Sequence, residues 1–254
     1  MLDIKRIRED FDNVKKAVES RGQGDFGIDN VITLDKKRRE LLAEVEQMKN
    51  KQSISSKQIP VMKKEGKDTT ELMAEMKKLS DEIKALDTEV SQVEAELRDA
   101  LLNIPNTPYK DVQVGADDSA NVELRKWGEP KKFDFEEKAH WDIGTDLDIL
   151  DFERAAKIAG TRFTVYKGLG ARLERSVINF MLNLHTEEHG FTEILPPFMV
   201  NRDAMTGTGQ LPKFEDDMFH VPAKDFFLIP TAEVPVTNLR DNEIIDEAAL
   251  PIYY

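Results

Sequence analysis

The residues best placed for small-molecule chemistry lie between Thr206 and Pro235, in TGTGQLPKFEDDMFHVPAKDFFLIPTAEVP. Glu233 stands among small and apolar neighbours, in IPTAEVPV, on a segment that reads as a strand or strand end. A carboxylate in that setting needs a cation or a hydrogen-bond network, because burying it bare is costly. On an extended chain Thr231 projects to the same face and sets a hydroxyl beside it. One anion and one hydroxyl suit a small ligand that carries an ammonium and a polar side chain. A buried glutamate paired with a structural Arg or Lys accounts for the same residues, and on these residues alone it is the commoner arrangement.

Two further spacings resemble chemical signatures but lack the required context. Gly22, Gly24 and Gly27 spell G-x-G-x-x-G. That fingerprint needs a strand before it and a helix after it, so that a helix N-terminus meets a pyrophosphate. Here a helical pattern precedes it. His185, Glu188 and His189 spell H-x-x-E-H, and the two histidines share a helix face. Zinc needs a third protein ligand, and only His140 and His220 remain. Two histidines just before Gly190 read better as cations at the negative end of a helix.

The elements that must position these groups follow from charge and periodicity. The chain has 254 residues, 33% of them charged, with a net charge of −13. That balance argues against general nucleic-acid affinity and calls for a local basic patch if a polyanion is a partner. Cysteine is absent, which removes disulfides and zinc–thiolate sites and fits a reducing cytoplasmic setting. The opening MLDIKRIREDF lacks an apolar signal core, and no apolar run approaches membrane-spanning length.

A basic patch exists. Residues 36–67 hold ten cations and four anions, net +6, whereas residues 68–104 hold four cations and ten anions, net −6. Leu72, Met76, Leu79, Ile83, Leu86, Val90, Val93 and Leu97 recur at alternating spacings of four and three, the seam of a coiled coil. Leu34, Leu41, Val45 and Met48 continue the rule upstream, weakened by Arg38 and Gln52. Gly66 supplies a helix stop, and Asp68 with Glu71 a capping box. The pattern predicts an antiparallel helical hairpin roughly 45 Å long at 1.5 Å per residue. Pro60 should kink or restart the first helix near the tip. Ahead of the hairpin, Ile4, Ile7, Phe11, Val14 and Val18 predict one amphipathic helix packed at its base.

IPNTP, from Ile104 to Pro108, breaks the helical pattern, and a turn-rich linker over residues 105–130 follows, with a short strand expected at Val122 to Leu124. Beyond it the pattern predicts a helix over Phe152–Ala159 and β-like residues from Phe163 to Tyr166. A long amphipathic helix is expected from Ala171 to His189, with apolar positions Leu173, Val177, Phe180, Met181 and Leu184, then a strand at Phe191–Leu195. The division is therefore residues 1–104 as a helical arm domain, 105–130 as linker and 131–254 as an α+β domain.

Read in order, these segments resemble a known family. GARLERSVINFMLNLHTEEHGFTEILPPFMV is similar to motif 1 of class II aminoacyl-tRNA synthetases, a long helix leading into a strand and a proline at a dimer interface. TGTGQLPKF, FFLIPTAEVP, MLDIKRIRED, NIPNTP through NVELRKWGEP, DFERAAKIAG and TRFTVYKG resemble seryl-tRNA synthetases, and the likeness covers essentially the whole chain. It implies an α+β protein in which an antiparallel α-helical hairpin precedes an incomplete class II catalytic domain, an antiparallel sheet with helices. It further implies a homodimer through motif 1 and a cytoplasmic protein with no membrane contact.

The resemblance also assigns roles. Thr231, Ala232 and Glu233 match the family's serine-binding triplet, with Glu233 as counter-ion of the ammonium and Thr231 as hydroxyl partner. Lys36, Lys37, Arg38, Arg39, Lys49, Lys51, Lys57, Lys63 and Lys64 become candidates for binding tRNA(Ser), with tRNA(Sec) a candidate second acceptor. The family's reaction uses ATP and Mg2+, without zinc, to form seryl-adenylate and transfer serine to the tRNA 3′ end. Motifs 2 and 3 have no counterpart in this chain, so it should hold no catalytic residues, lack the ATP-binding strands and be inactive alone. The alternative is a non-catalytic synthetase-like module that binds tRNA or a protein.

Overall fold

The alternating four-and-three seam folds into two long antiparallel helices. In the computed structural model, which describes residues 1–22 and 24–254, α3 runs Ile28–Lys64 over 37 residues and α4 runs Thr70–Asn103 over 34. At 1.5 Å per residue these are about 55 and 50 Å long, somewhat more than the seam alone predicts. Leu79, Ile83, Val90, Val93 and Leu97 are buried along the seam, with Leu72, Met76 and Leu86 half-buried. From α3, Val45 is buried, while Leu34, Leu41 and Met48 are half-covered.

The turn between the helices is a Schellman motif. Gly66 takes φ +70°, its N–H donates to the Lys63 carbonyl at 3.3 Å, and the Lys67 N–H donates to the Met62 carbonyl at 2.9 Å. The next helix starts one residue later than a cap at Asp68 would place it. Thr69 is the boundary residue, and the Asp68 carboxylate accepts the Thr70 N–H at 2.9 Å and the Thr70 hydroxyl at 2.6 Å. The reciprocal Glu71 half of the expected capping box is not formed. Nor does Pro60 end α3, which continues four residues past it.

The base is built from two helices where one was expected: α1, Ile4–Glu9, and α2, Phe11–Glu19. Asp10 separates them at φ −135°, ψ 47°, outside the helical region. Their apolar faces still meet. Ile7, Val14 and Val18 pack with Ile28 and Val31 of α3 and with Leu97, Leu101 and Ile104 at the end of α4. Each such side chain contributes about 1.5–3 kcal/mol on burial. Arg6 donates to the Thr107 hydroxyl at 3.2 Å and Arg21 to the Asn106 carbonyl at 3.0 Å, fastening the IPNTP exit to the base.

The chain divides into two units, residues 1–123 with 209–218 and residues 124–208 with 219–254. The second contains α5, His140–Asp146, and an antiparallel pair, β1, Leu150–Asp151, and β2, Val165–Tyr166, joined through α6, Phe152–Ala159. Asp151 caps α6 by accepting the Arg154 N–H at 2.9 Å. Helix α7, Gly168–Asn183, continues into a π-helical turn at Leu184–Glu188. A three-stranded antiparallel sheet, in the order β3-β5-β4, is formed by β3, Met199–Asn201, β4, His220–Val221, and β5, Phe226–Leu228. Two short helices flank this sheet in sequence: α8, Arg202–Gly207, and α9, Glu233–Asn238.

Two expected strands do not form. Val122–Leu124 is irregular, with Leu124 exposed, and Phe191–Leu195 is irregular too. Thr192 there donates its N–H to the Tyr253 carbonyl at 3.0 Å, a single bond rather than a ladder. β-propensity marks a chain that suits a ladder, but partners elsewhere in the sequence decide whether one forms.

Candidate functional site

The segment Thr231–Glu233 leaves β5 and enters α9. Ile229 is held by its N–H donating to the Phe198 carbonyl at 3.0 Å. The chain then turns helical: the Val234 N–H donates to the Thr231 carbonyl at 3.4 Å and the Val236 N–H to the Ala232 carbonyl at 3.1 Å. This corrects the extended reading, and the reason lies in Pro235. At the third helical position its missing N–H is one of the donors a helix start leaves unused, and its fixed φ suits the helix.

The turn also changes which residues are covered. Val234 and Pro235 are buried, with Val234 fully so, while Thr231, Ala232 and Glu233 are all exposed. Glu233 is therefore not a buried carboxylate in need of a structural cation. The structure brings the three residues together as an exposed stretch at the first turn of α9, where negative charge meets the positive end of the helix dipole. Their support comes from α8. Asn238 donates to the Ala204 carbonyl at 2.9 Å and to the Val234 carbonyl at 2.8 Å. A Cβ on Gly207 would lie 2.5 Å from the Asn238 Oδ1, so the close approach of α8 and α9 depends on glycine there.

A polar cluster beside this segment gave no sequence signal. Arg202 forks onto Asp225, Nε to Oδ2 at 2.8 Å and Nη2 to Oδ1 at 3.0 Å, and His220 Nε2 lies 2.9 Å from the same Oδ1. Under them, the fully buried Phe227 ring stacks on His220 at 4.4 Å and carries the Arg202 guanidinium at 5.1 Å. Arg202, and His220 after it, hold the Asp225 carboxyl below the usual carboxylate range. Arg202, His220 and Asp225 lie at or next to strand ends and Phe227 at the centre of β5; the β4–β5 turn joins His220 to Asp225, and the β3-β5 pairing brings Arg202 to them.

The arm's candidate cations fall into two sets. Lys37 pairs with Glu89 at 2.8 Å, Arg38 with Glu94 at 2.8 Å, Lys49 with Asp87 at 3.0 Å and Lys51 with Glu75 at 3.3 Å, all across the hairpin. Lys36 lies 4.0 Å from Glu40, and Arg39 is bound at 2.9 Å by Asp35. Lys57, Lys63 and Lys64 near the tip are exposed and make no ion pair among the described residues. Asp35, which the sequence did not single out, is 1% exposed and also takes Arg8 of α1 at 3.2 Å.

The two look-alike motifs resolve as local structure. Gly27 takes φ +71° at the start of α3, with α2 rather than a strand ahead of the glycine loop; Gln23 within it lies outside the described residues. His185 and His189 place their Nδ1 atoms 3.1 Å apart, an arrangement in which one ring donates and the other accepts.

The apolar face of α7 is open. Of the apolar positions expected along this helix, Leu173, Val177, Phe180 and Met181 are exposed, as is Leu169, and Leu184 is half-covered. Among the described residues of its unit, none buries this stripe.

Comparison with known proteins places this geometry. Residues 1–108 match the model of the seryl-tRNA synthetase N-terminal domain. The chain is 63% identical over 254 residues to a serine–tRNA ligase of Alkaliphilus oremlandii and 56% identical over 255 residues to one of Clostridium tetani. These matches cover 100% and 99% of this chain and 60% of each relative. Among solved structures it is similar to a Pyrococcus horikoshii seryl-tRNA synthetase complexed with ATP, with TM-score 0.83 and 31% identity, all of this chain aligning with 62% of that one. It is also similar to a cytoplasmic serine–tRNA ligase of Naegleria fowleri in complex with AMP, with TM-score 0.75 and 25% identity, covering 100% of this chain and 59% of the other. The chain thus spans about three fifths of the length of the curated relatives it matches. In its hairpin arm, its small antiparallel sheets and its sequence from end to end, the chain is similar to seryl-tRNA synthetases, and its first 108 residues match that family's N-terminal domain.

Proposed function

We propose that this chain supplies the tRNA-binding arm and one wall of the serine pocket of a serine–tRNA ligase. That enzyme activates L-serine with ATP to seryl-adenylate and transfers it to the 3′ end of tRNA(Ser). The observation that carries the proposal is the arm: a basic helix paired to an acidic one, in a chain that resembles serine–tRNA ligases over its whole length. A polyanion partner needs a local concentration of cations when the whole protein carries −13, and the arm has one.

In the pocket, Glu233 is the counter-ion for the serine ammonium and Thr231 the partner for a polar group, with Ala232 between them as the small member of the wall. The exposure of Thr231 and Glu233 supports a role toward a ligand, because neither is engaged in holding the core. A site built to bond a hydroxyl discriminates strongly against alanine, which would leave its polar groups unpaired. The domain assignment that goes with this is 1–104 for the arm, 105–130 for the linker and 131–254 for the catalytic portion. The open stripe on α7 supports pairing with a second copy, as motif 1 does in the family.

The residues after Pro235 do not fit a triphosphate. Past Pro235 the one arginine, Arg240, donates to Glu243 at 2.9 Å and to the Tyr254 hydroxyl at 2.8 Å. No step through ATP or Mg2+ is therefore assigned to these residues, and neither is zinc. The full-length enzyme is assigned to the cytoplasm; among the described residues no helix is long and apolar enough to cross a membrane. tRNA(Sec) is proposed as a second acceptor on the same footing.

Two measurements test the proposal. The 254-residue chain should bind a transcribed serine tRNA with strong salt dependence and give no serine-dependent ATP–pyrophosphate exchange. Salt-independent binding would remove the arm's role, and exchange by the chain alone would overturn the claim that it holds no ATP site.

A further inference from the structure

We infer that α4 is a built-in competitor for the cations of α3, so that a nucleic-acid backbone engages the arm through its tip and not along its basic stem. The inference rests on the arm's proposed role in tRNA binding and narrows it. By charge count alone the whole of residues 36–67 is a polyanion site, and all its basic residues are equal candidates. The structure separates them.

Along the stem, Lys37, Lys49 and Lys51 flank the hydrophobic seam, and Arg38 sits in it. Residues there face the opposite helix, the geometry in which coiled coils form interhelical ion pairs. α4 places Glu89, Asp87, Glu75 and Glu94 in the same flanking positions, and all four pairs close at 2.8–3.3 Å. The acidic helix therefore holds fixed carboxylates where phosphates would otherwise bind. A phosphate can reach these cations only by displacing a tethered anion, and it releases little condensed counterion in doing so, because the cation was already neutralised.

The tip differs in register. Lys57 and Lys64 are seven residues apart on α3, two helical turns and about 10 Å, on the face turned away from the seam. Lys63 does flank the seam, but Met73 occupies the flanking position on α4 near the tip, and Lys77 adds a further cation there. None of these four lysines is ion-paired among the described residues. Ile54 and Val61 share the outward stripe with Lys57 and Lys64 and are 52% and 53% exposed. Cations alternating with apolar side chains suit a sugar–phosphate backbone, with phosphates on the lysines and riboses against the aliphatic groups.

The test measures affinity of the full chain for a transcribed serine tRNA between about 50 and 200 mM salt. Three variants are compared with the parent. Lys57→Gln, Lys63→Gln and Lys64→Gln together should weaken binding roughly tenfold and lower the logarithmic salt slope by about two to three, about one per lost contact. Reversing stem pairs, Lys49→Asp with Asp87→Lys and Lys37→Glu with Glu89→Lys, keeps the hairpin closed while inverting charge on α3, and should leave affinity nearly unchanged. Neutralising the competitor, Glu75→Gln with Asp87→Asn and Glu89→Gln, should tighten binding and steepen the slope. Far-UV circular dichroism confirms that each variant keeps its helices. If the stem reversals weaken binding as much as the tip substitutions, the inference fails while the arm's role stands. If the parent binds tRNA and neither tip nor stem variants change it, the arm is not the site and both fall.

Discussion

Asp35 offers a sharp test of what holds the arm to its base. It is 1% exposed, and a single oxygen, Oδ2, receives both Arg8 of α1 at 3.2 Å and Arg39 of α3 at 2.9 Å. The other oxygen, Oδ1, is buried with no hydrogen-bond partner. Two charge-assisted bonds contribute about 1.5–3 kcal/mol each before desolvation is counted. Against them stands the penalty of a dehydrated carboxylate, several kcal/mol, enlarged here by the orphaned oxygen. Both arginines keep access to water, at 37% and 49% exposure, so removing Asp35 leaves no cation stranded in the interior. The balance predicts a loss of about 1–3 kcal/mol for Asp35→Asn, which keeps the shape and the buried polar atoms but gives up the charge. Asp35→Leu, by contrast, should lie within about 1 kcal/mol of the parent, because Val31 one turn away already belongs to the apolar cluster of the base. Urea unfolding followed by far-UV circular dichroism reads both, since α3 and α4 dominate the helical signal. If Leu costs over about 1 kcal/mol more than Asn, the ion cluster is a net stabiliser and the reasoning fails.

Three further outcomes follow from the geometry. Leu97→Ala empties a position 6% exposed in the same cluster and should cost about 3 kcal/mol in the same urea titration, with an unchanged slope. Gly66→Ala puts a Cβ at φ +70° and should cost about 1 kcal/mol, seen first as faster amide hydrogen exchange at the hairpin tip. Asp225 is held below the ordinary carboxylate range by Arg202 and His220, so its stabilising contribution is present above about pH 4 and is lost as pH falls through the lowered value. Asp225→Asn should therefore destabilise at neutral pH and converge with the parent in acid; a gap that persists in acid would count against this.

The arm was legible in the sequence because a four-and-three repeat depends only on local spacing, and Leu79 through Leu97 keep it without interruption. The Phe152–Ala159 helix and the Gly66 stop were legible for the same local reason. What was misread depended on partners far along the chain or on a single backbone group. Phe191–Leu195 has strand composition, but Phe191 bonds back to His185 and Thr192 to Tyr253, and these two separate bonds make no ladder. Glu233 looked buried because its neighbours are apolar, yet the helical turn at Pro235 sends Val234 inward and the carboxylate outward. Asp35 and Arg39 stand at an i,i+4 spacing that was passed over, whereas the burial of Asp35, its bond to Arg8 and the Arg202–Asp225–His220 cluster come from packing and strand pairing that local spacing does not show. The apolar stripe of α7 was read correctly as a stripe, but its burial needs a surface that its own unit does not provide.

Pro60 has a mechanical consequence. It cannot donate to the Ser56 carbonyl, the bond that would otherwise tie those two turns together. The helix passes through with one rung missing, between a stem clamped by ion pairs across the hairpin and a tip where Lys67 pairs only with Glu65 of the same turn, at 2.7 Å. Bending stiffness should therefore drop at that point, giving the distal turn some angular play while the stem stays rigid. A compliant end on a stiff lever can follow an uneven partner surface without transmitting the adjustment to the body of the protein.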